Sequence, residues 1–467
     1  MRRGVAASAG VITRLACAAA SVAVLVSACH SSSPPDANAR PSARAARVEL
    51  ATTIRKSLHD EFLKQWYPRA VDRDSGGFLS QFDYRFNPDG TQEKMIVSQS
   101  RHVWTTARAS QFFPGDSTGF LGESSHGFRF LRDRMWDKEK GGFYWLVTRG
   151  GTPKEDAPGR IIKQAYGTAF GIYALAAYYE VSHDEAALRM AQDAFRWVDQ
   201  HAHDPVNLGY FNYMERDGTP IRAGYNNDPP KDQNSSIHLL EAFTELYHVW
   251  PDPVLRTRLA EMLALIRDRM RTDPGYLQLF FTENWTPVSY RDSSDAARER
   301  NHSRDHVSFG HDIETAYLML EASEALGLEH DTVTERYAKQ MVDHALRFGW
   351  DAARGGFYDE GYYFRDKPGF TLTHDTKNWW AQAEGLNTLL MMADRYPNDP
   401  LEYEKKFFQQ WSYMDRFIID HEFGGWFAGG LDREPDQRKG LKGHIWKATY
   451  HESRALMNVV RRLEAGH

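Results

Sequence analysis

Residues 137–143 read Asp-Lys-Glu-Lys-Gly-Gly-Phe, and this pattern returns along the chain: an Asp, a few residues, one or two glycines, an aromatic. It stands at Asp72 to Phe78, Asp204 to Phe211, Asp351 to Phe357 and Asp420 to Trp426, with a shorter copy from Asp273 to Tyr276. The six Asp positions are 65, 67, 69, 78 and 69 residues apart. A period of that size marks a repeated supersecondary unit. Glycine opens the turn to positive φ, and the aromatic tucks back onto the core.

Between the turns, apolar residues recur at helical spacing. Leu50, Ile54 and Leu58 make one stripe, Leu239, Ala242 and Leu246 another, and Leu318, Ala322 and Leu326 a third. Twelve helices are predicted, over 47–66, 98–112, 121–136, 163–181, 184–201, 233–249, 252–271, 305–327, 331–348, 376–396, 400–418 and 442–463. Short breaks such as Val181-Ser182-His183 join helices within a hairpin, and the Gly-rich segments, which carry short strands, join one hairpin to the next. The first helix has no partner before it and the last none after it, so pairing them closes a ring. The prediction is an all-α (α/α)6 barrel of six inner and six outer helices; an open helical solenoid is the alternative.

Six segments are polar where a helix interior should be apolar. They are Ser100 to Trp104, Lys163 to Tyr166, Asn234 to His238, Gly310 to Glu314, Lys377 to Trp380, and Trp446 to His451. Their members Arg101, Tyr166, His238, His311, Trp380 and His451 are 65, 72, 73, 69 and 71 residues apart. Each stands near the start of a helix that follows a Gly-rich loop. If those helices line the ring, the clusters converge at one mouth of the barrel as a concave site. Singly, a histidine in an apolar stripe is most simply a core residue. The shared phase across six repeats points to a site.

The segments Asn234 to Ala242 (NSSIHLLEA), Gly310 to Glu314 (GHDIE), Asn378 to Glu384 (NWWAQAE) and Trp446 to Arg454 (WKATYHESR) resemble the N-acylglucosamine 2-epimerase superfamily, and its cellobiose 2-epimerase branch more closely. The resemblance spans almost all of residues 48–467. It implies the (α/α)6 barrel and a sugar 2-epimerase or aldose–ketose isomerase acting at C2. It implies His311 and His451 as acid/base catalysts and His238 as a sugar-site residue tied to ring opening. Arg101 would hold substrate oxygens, and Trp379 and Trp380 would stack on sugar rings. Tyr166, Asn234, Glu314, Glu384 and Trp446, in or beside the same motifs, complete the expected substrate site. Two departures stand out: Thr449 replaces the usual Pro before Tyr450-His451, and residues 281–305 form a longer segment than the family pattern.

The residue types suit that chemistry. A C2 hydrogen beside an open-chain carbonyl is weakly acidic, and a base titrating near neutrality can remove it as an enediolate forms. Inversion needs a proton returned to the opposite face, so two histidines are the simplest set. Arg101 would stabilise the oxyanion. Glu314, three residues after His311 on a helix, is placed to orient that ring. The rival class is glycoside hydrolysis or a lyase reaction on the same barrel, which needs carboxylates such as Glu314, Asp359, Glu360 and Glu384. None of the six phased positions holds one. Neither a cofactor nor a catalytic metal is expected, although His238, His311 and His451 together are a conceivable ligand set. A mono- or disaccharide is the expected partner. A net charge of −6 with no basic stripe argues against nucleic acid.

The N-terminus reads as an export signal. Arg2, Arg3 and Arg14 precede an apolar run from Leu15 to Leu25, and Val26-Ser27-Ala28-Cys29 has the form of a bacterial lipobox. The expected organisation is a signal peptide over 1–28, a flexible tether over 29–47 beginning at lipid-carrying Cys29, and a catalytic domain over 48–467. The protein would be held at a bacterial membrane through lipid alone, facing the periplasm or the exterior. Its only other cysteine, Cys17, lies in the signal, so the domain has neither a disulfide nor a thiol nucleophile.

Overall fold

The computed structural model describes residues 43–465 apart from residue 329. The expected signal peptide and Cys29 lie outside the described residues. The first helical run, α1, comprises Ala43–Lys56, a π-helical stretch Ser57–Leu63 and a final turn Lys64–Trp66. It therefore begins before the expected start at 47, and Arg47 bonds Asp394 at 2.7 Å. Hairpins follow in order: α2 (Ile96–Phe112) with α3 (Phe120–Phe130), α4 (Ala165–Ser182) with α5 (Glu185–Ala202), and α6 (Gln233–Val249) with α7 (Pro253–Leu265). Then come α8 (Phe309–Ala325) with α9 (Thr332–Phe348), α10 (Trp379–Arg395) with α11 (Tyr403–Phe417), and α12 (Tyr450–Ala465), which packs on the π-helical part of α1. The even-numbered helices touch in sequence and α12 returns to α2, closing the (α/α)6 ring.

Composition decides which helix is inner. Every residue from Ala165 to Tyr178 of α4 is buried, because helices flank it on all sides. In α5 the buried residues Ala187, Ala191, Ala194, Val198 and Ala202 recur every three or four positions, the single apolar stripe of an outer helix. Asp184 caps α5 by accepting the Ala186 N–H at 2.9 Å. The core is one continuous layer between the two rings.

Short strands stitch the units together at one mouth. β1 (Lys94–Met95) pairs antiparallel with β2 (Leu146–Val147), β3 (Ile162–Gln164) with β4 (Tyr213–Glu215), and β5 (Lys231–Asp232) with β6 (Phe280–Phe281). β7 (Val307–Ser308) pairs with β8 (Glu360–Tyr362), which β9 (Thr371–His374) flanks. A strand that enters one inner helix thus pairs with the loop leading to the next, as in the register Lys163↔Met214.

The repeated Asp is the anchor of this mouth. Asp137 caps its own turn, accepting the Glu139 and Lys140 N–H groups at 3.1 Å. Its other oxygen takes the fully buried Lys163 ammonium at 3.1 Å. The pair recurs as Asp72–Lys94 at 2.9 Å, Asp204–Lys231 and Asp351–Lys377 at 2.8 Å, and Asp420–Lys442. The sixth turn departs: Asp273 is exposed, and Asp312 of α8 accepts the Leu277 N–H at 2.9 Å instead. In the Asp137 turn Gly142 has φ +72°, and a Cβ there would lie 2.7 Å from Trp197, so both the turn and the approach of α5 require glycine.

These anchors correct two expectations. Lys163, Lys377 and Lys447, members of the polar clusters, are fully buried away from the pocket; Lys447 donates to the carbonyls of Trp426 and Lys442 at 3.1 and 2.8 Å. The inner helices expected from 163, 305, 376 and 442 start at Ala165, Phe309, Trp379 and Tyr450. A lysine reaching back into the preceding turn holds the backbone extended or turned in three of the four. Residues 281–305 carry a short helix, Asp295–Arg300, and a 3-10 turn, His302–Arg304. They lie against the β8–β9 hairpin, where Arg365 bonds Asp292 at 2.8 Å. No helix of the described residues is long and apolar enough to cross a membrane.

Candidate active site

Ten of the eleven expected site residues line one cavity of about 170 Å³ at the stranded mouth: Arg101, Tyr166, Asn234, His238, His311, Glu314, Trp379, Trp380, Trp446 and His451. The eleventh, Glu384, is fully buried and bonded to His451. Every inner helix contributes from its first two turns, which is why the repeat phase was visible in the sequence. Trp446, on the loop before α12, is 45% exposed and stands at the rim, 5.9 Å from the Trp145 ring. Trp380 sits between two imidazoles, with its ring 4.7 Å from His311 and 5.7 Å from His451.

Each histidine has its own backing group. His238 Nδ1 bonds Glu241 at 2.9 Å, and His451 Nδ1 bonds Glu384 at 2.8 Å. An ionised carboxylate only accepts, so Nδ1 carries the hydrogen in both rings and Nε2 keeps a lone pair. His311 Nδ1 meets the Ser308 hydroxyl at 2.9 Å. Glu314 does not orient His311, contrary to the helical-spacing argument; it lies with Glu384 beneath His451, 3.9 Å from Nδ1.

One guanidinium organises the floor. Arg454 of α12 bonds Glu384 at 2.6 Å and also binds Glu241, Glu314 and the Tyr450 hydroxyl. It therefore ties together both carboxylates that back His238 and His451. Burial alone would raise the Glu241 carboxyl, but Arg454 and His238 outweigh it and hold it at about 2. Burial lifts the Glu384 carboxyl, with Arg454 opposing. Withdrawal from water pushes His311 down to about 3, aided by neighbouring His238. Burial, with Arg101 nearby, also takes His451 well below the usual imidazole range. Both rings are thus neutral at pH 7 and able to accept a proton.

Arg101 supplies the positive wall. It donates to the Trp446 carbonyl at 2.8 Å, its guanidinium lies 4.6 Å from the Phe170 ring, and its buried Nε has no hydrogen-bond partner among the described residues. Glu314, Glu384 and His451 have ligand atoms close enough to hold a cation. Arg454 already neutralises those carboxylates, so the group does not present a vacant metal charge site.

The N-acylglucosamine 2-epimerase (GlcNAc 2-epimerase) family matches residues 76–455. The chain belongs to that family. Within it the chain falls in the cellobiose 2-epimerase-like branch. It is 26% identical over 430 residues to the cellobiose 2-epimerase of Bacteroides fragilis, covering 88% of this chain and 98% of the relative. It is 28% identical over 423 residues to that of Ruminococcus albus, covering 88% and 99%. Among solved structures, the cellobiose 2-epimerase from Spirochaeta thermophila superposes with a TM-score of 0.77 at 27% identity, covering 91% of this chain and 99% of its own.

The epimerase site leaves the hydrolase alternative without a carboxylate pair. Glu314 and Glu384 are tied to Arg454, Asp359 binds Thr376 and Asn378, and Glu360 faces His302 and His374. Sequence reasoning missed Glu241, Ser308 and Arg454 as working parts of the site. The signal was available: each lies three residues from its histidine, one helical turn away or just before the helix.

Proposed function

We propose that this carbohydrate epimerase inverts C2 of a reducing mono- or disaccharide through an enediolate, using His311 and His451 on the two faces. The observation that carries this is the pair of neutral imidazoles opening on one cavity, separated by Trp380 and backed by different partners. His238 Nε2 takes the anomeric hydroxyl proton as the C1–O5 bond breaks and passes that proton to O5, giving the open-chain aldehyde and restoring the neutral ring. One imidazole then removes the C2 hydrogen, the electron pair forms the C1=C2 bond, and the carbonyl oxygen becomes an oxyanion beside Arg101. The other ring gives its Nε2–H proton to the opposite face of C2, the carbonyl re-forms, and the proton held by the first ring then restores the second, so that both end neutral. The Glu384 carboxylate under His451 steadies the charge that ring gains when it takes the proton. The hydroxyl of Ser308 lets His311 carry its hydrogen on Nε2. The step is reversible, so the roles exchange in the two directions.

Tryptophans 379, 380 and 446 offer apolar faces to sugar C–H surfaces, and exposed Trp446 is placed for a second sugar unit. We propose cellobiose-type disaccharides as substrates, and lipid attachment through Cys29 to a membrane facing the periplasm or exterior. Incubation with glucose, mannose, N-acetylglucosamine and cellobiose, read by chromatography, tests the reaction. Release of monosaccharide from cellobiose without any C2 epimer would overturn it.

A further inference from the structure

Residues 302–306 and the β8–β9 hairpin bring three imidazoles round one carboxylate, outside the cavity just described. His374 Nδ1 lies 3.1 Å and His302 Nδ1 3.4 Å from Glu360 Oε2, and His306 Nε2 lies 3.5 Å from Glu360 Oε1. None of these three contacts is a hydrogen bond, and Oε2, shut off from solvent, has no hydrogen-bond partner among the described residues. His306 Nδ1 lies 2.6 Å from the His302 carbonyl, an oxygen that only accepts. Nδ1 therefore carries a hydrogen, and Nε2 is the atom turned to the carboxylate. Three imidazole nitrogens thus surround Glu360 without a hydrogen bond to it, and its buried Oε2 lacks the partner that a bound cation would supply.

The spacing fits a particular cation. Ligand atoms each about 2.0–2.1 Å from a tetrahedral Zn²⁺ are about 3.3 Å from one another. The two separations to Glu360 Oε2, 3.1 and 3.4 Å, bracket that value, and the ligand atoms of His302, Glu360 and His374 all lie within 4.8 Å of one another. Imidazole nitrogens select a borderline transition ion over Mg²⁺ or Ca²⁺. His302 and His374 are exposed, so an ion can enter.

We infer that His302, Glu360 and His374, with His306 beside them, form a binding site for Zn²⁺ or a similar divalent transition ion, which pins the 281–305 segment to the β8–β9 hairpin. The ion would stand apart from the reacting sugar and act by holding the wall behind β7 (Val307–Ser308), whose Ser308 backs His311. The test is metal uptake by the full chain, stripped with a chelator and dialysed against ZnCl₂ or MgCl₂. Metal content is then read by mass spectrometry and affinity by calorimetry. One equivalent of Zn²⁺ and no Mg²⁺ is expected. Glu360→Gln and the double replacement His302→Ala/His374→Ala should each weaken Zn²⁺ binding at least about 10–100-fold. Epimerase turnover of the variants reports that they are folded, and the double variant alters exposed side chains only. No Zn²⁺ uptake by the full chain, or uptake that the double variant leaves unchanged, overturns the site.

Discussion

Replacing His451 or His311 by Ala separates the two faces of C2. A positioned general acid or base contributes about 10²–10⁴ in rate, or about 2.7–5.4 kcal/mol of barrier. Each single variant should lose at least the lower figure in kcat. The structure distinguishes their stability costs. His451 bonds the charged Glu384 at 2.8 Å, a contact worth about 1.5–3 kcal/mol. His311 bonds the neutral Ser308 hydroxyl at 2.9 Å, worth about 0.5–1.5 kcal/mol. Arg454 still satisfies Glu384 when His451 is gone, so no buried charge is stranded and both variants should fold. The assay is turnover in D₂O, with deuterium at C2 followed by NMR and folding by thermal denaturation. Wild type should place deuterium at C2 of the epimerised sugar. Each variant should make little epimer yet retain slow exchange of the C2 hydrogen in one epimer only, a different one for each variant, which assigns the faces. If both variants epimerise within a few-fold of wild type, the two-histidine mechanism is wrong.

Four further outcomes are expected. Asp204→Asn leaves the fully buried Lys231 without its ion partner and should cost about 3–5 kcal/mol in denaturant unfolding, whereas Asp273→Asn, exposed and without a lysine, should change stability by less than about 0.5 kcal/mol. Because His311 is lowered to about 3 from the usual 6.5, the folded state binds fewer protons than the unfolded one between those values; stability should rise with pH through that window, and the acid limb of kcat/KM should fall below pH 6.5, both read from pH titrations. Prolonged EDTA dialysis should leave the enzyme turning over, since the chemistry is assigned to side chains; abolition of turnover, restored by Zn²⁺ or Mn²⁺ even in the His302→Ala/His374→Ala variant, would overturn that assignment. Mass spectrometry of the mature protein should find a diacylglycerol-modified Cys29 at the N-terminus, and an unmodified N-terminus elsewhere would refute the export reading.

The sequence by itself determined the ring and the identity of the cavity wall. Both follow from periodicity: the Asp–Gly–aromatic turns count the units, and Arg101, Tyr166, His238, His311, Trp380 and His451 share one phase because each stands in the first turns of an inner helix. Periodicity is local and survives without knowing what faces what. What it leaves open is the destination of a polar side chain two or three residues before that phase. Lys163 and Lys377 fall in the polar clusters, but the chain ahead of the helix, a strand at Lys163 and a loop at Lys377, turns their ammonium groups into the buried Asp of the preceding turn. Glu314 sits one turn from His311 and yet serves the floor under His451, because Arg454 from α12 draws it there. Only the closed ring places α6, α8, α10 and α12 close enough for one guanidinium to hold Glu241, Glu314 and Glu384 together. The same is true of the cluster round Glu360, whose members are up to 72 residues apart in the chain. Such groups are brought together by long-range packing, and a charge buried there finds its partner by proximity in space rather than by spacing along a helix.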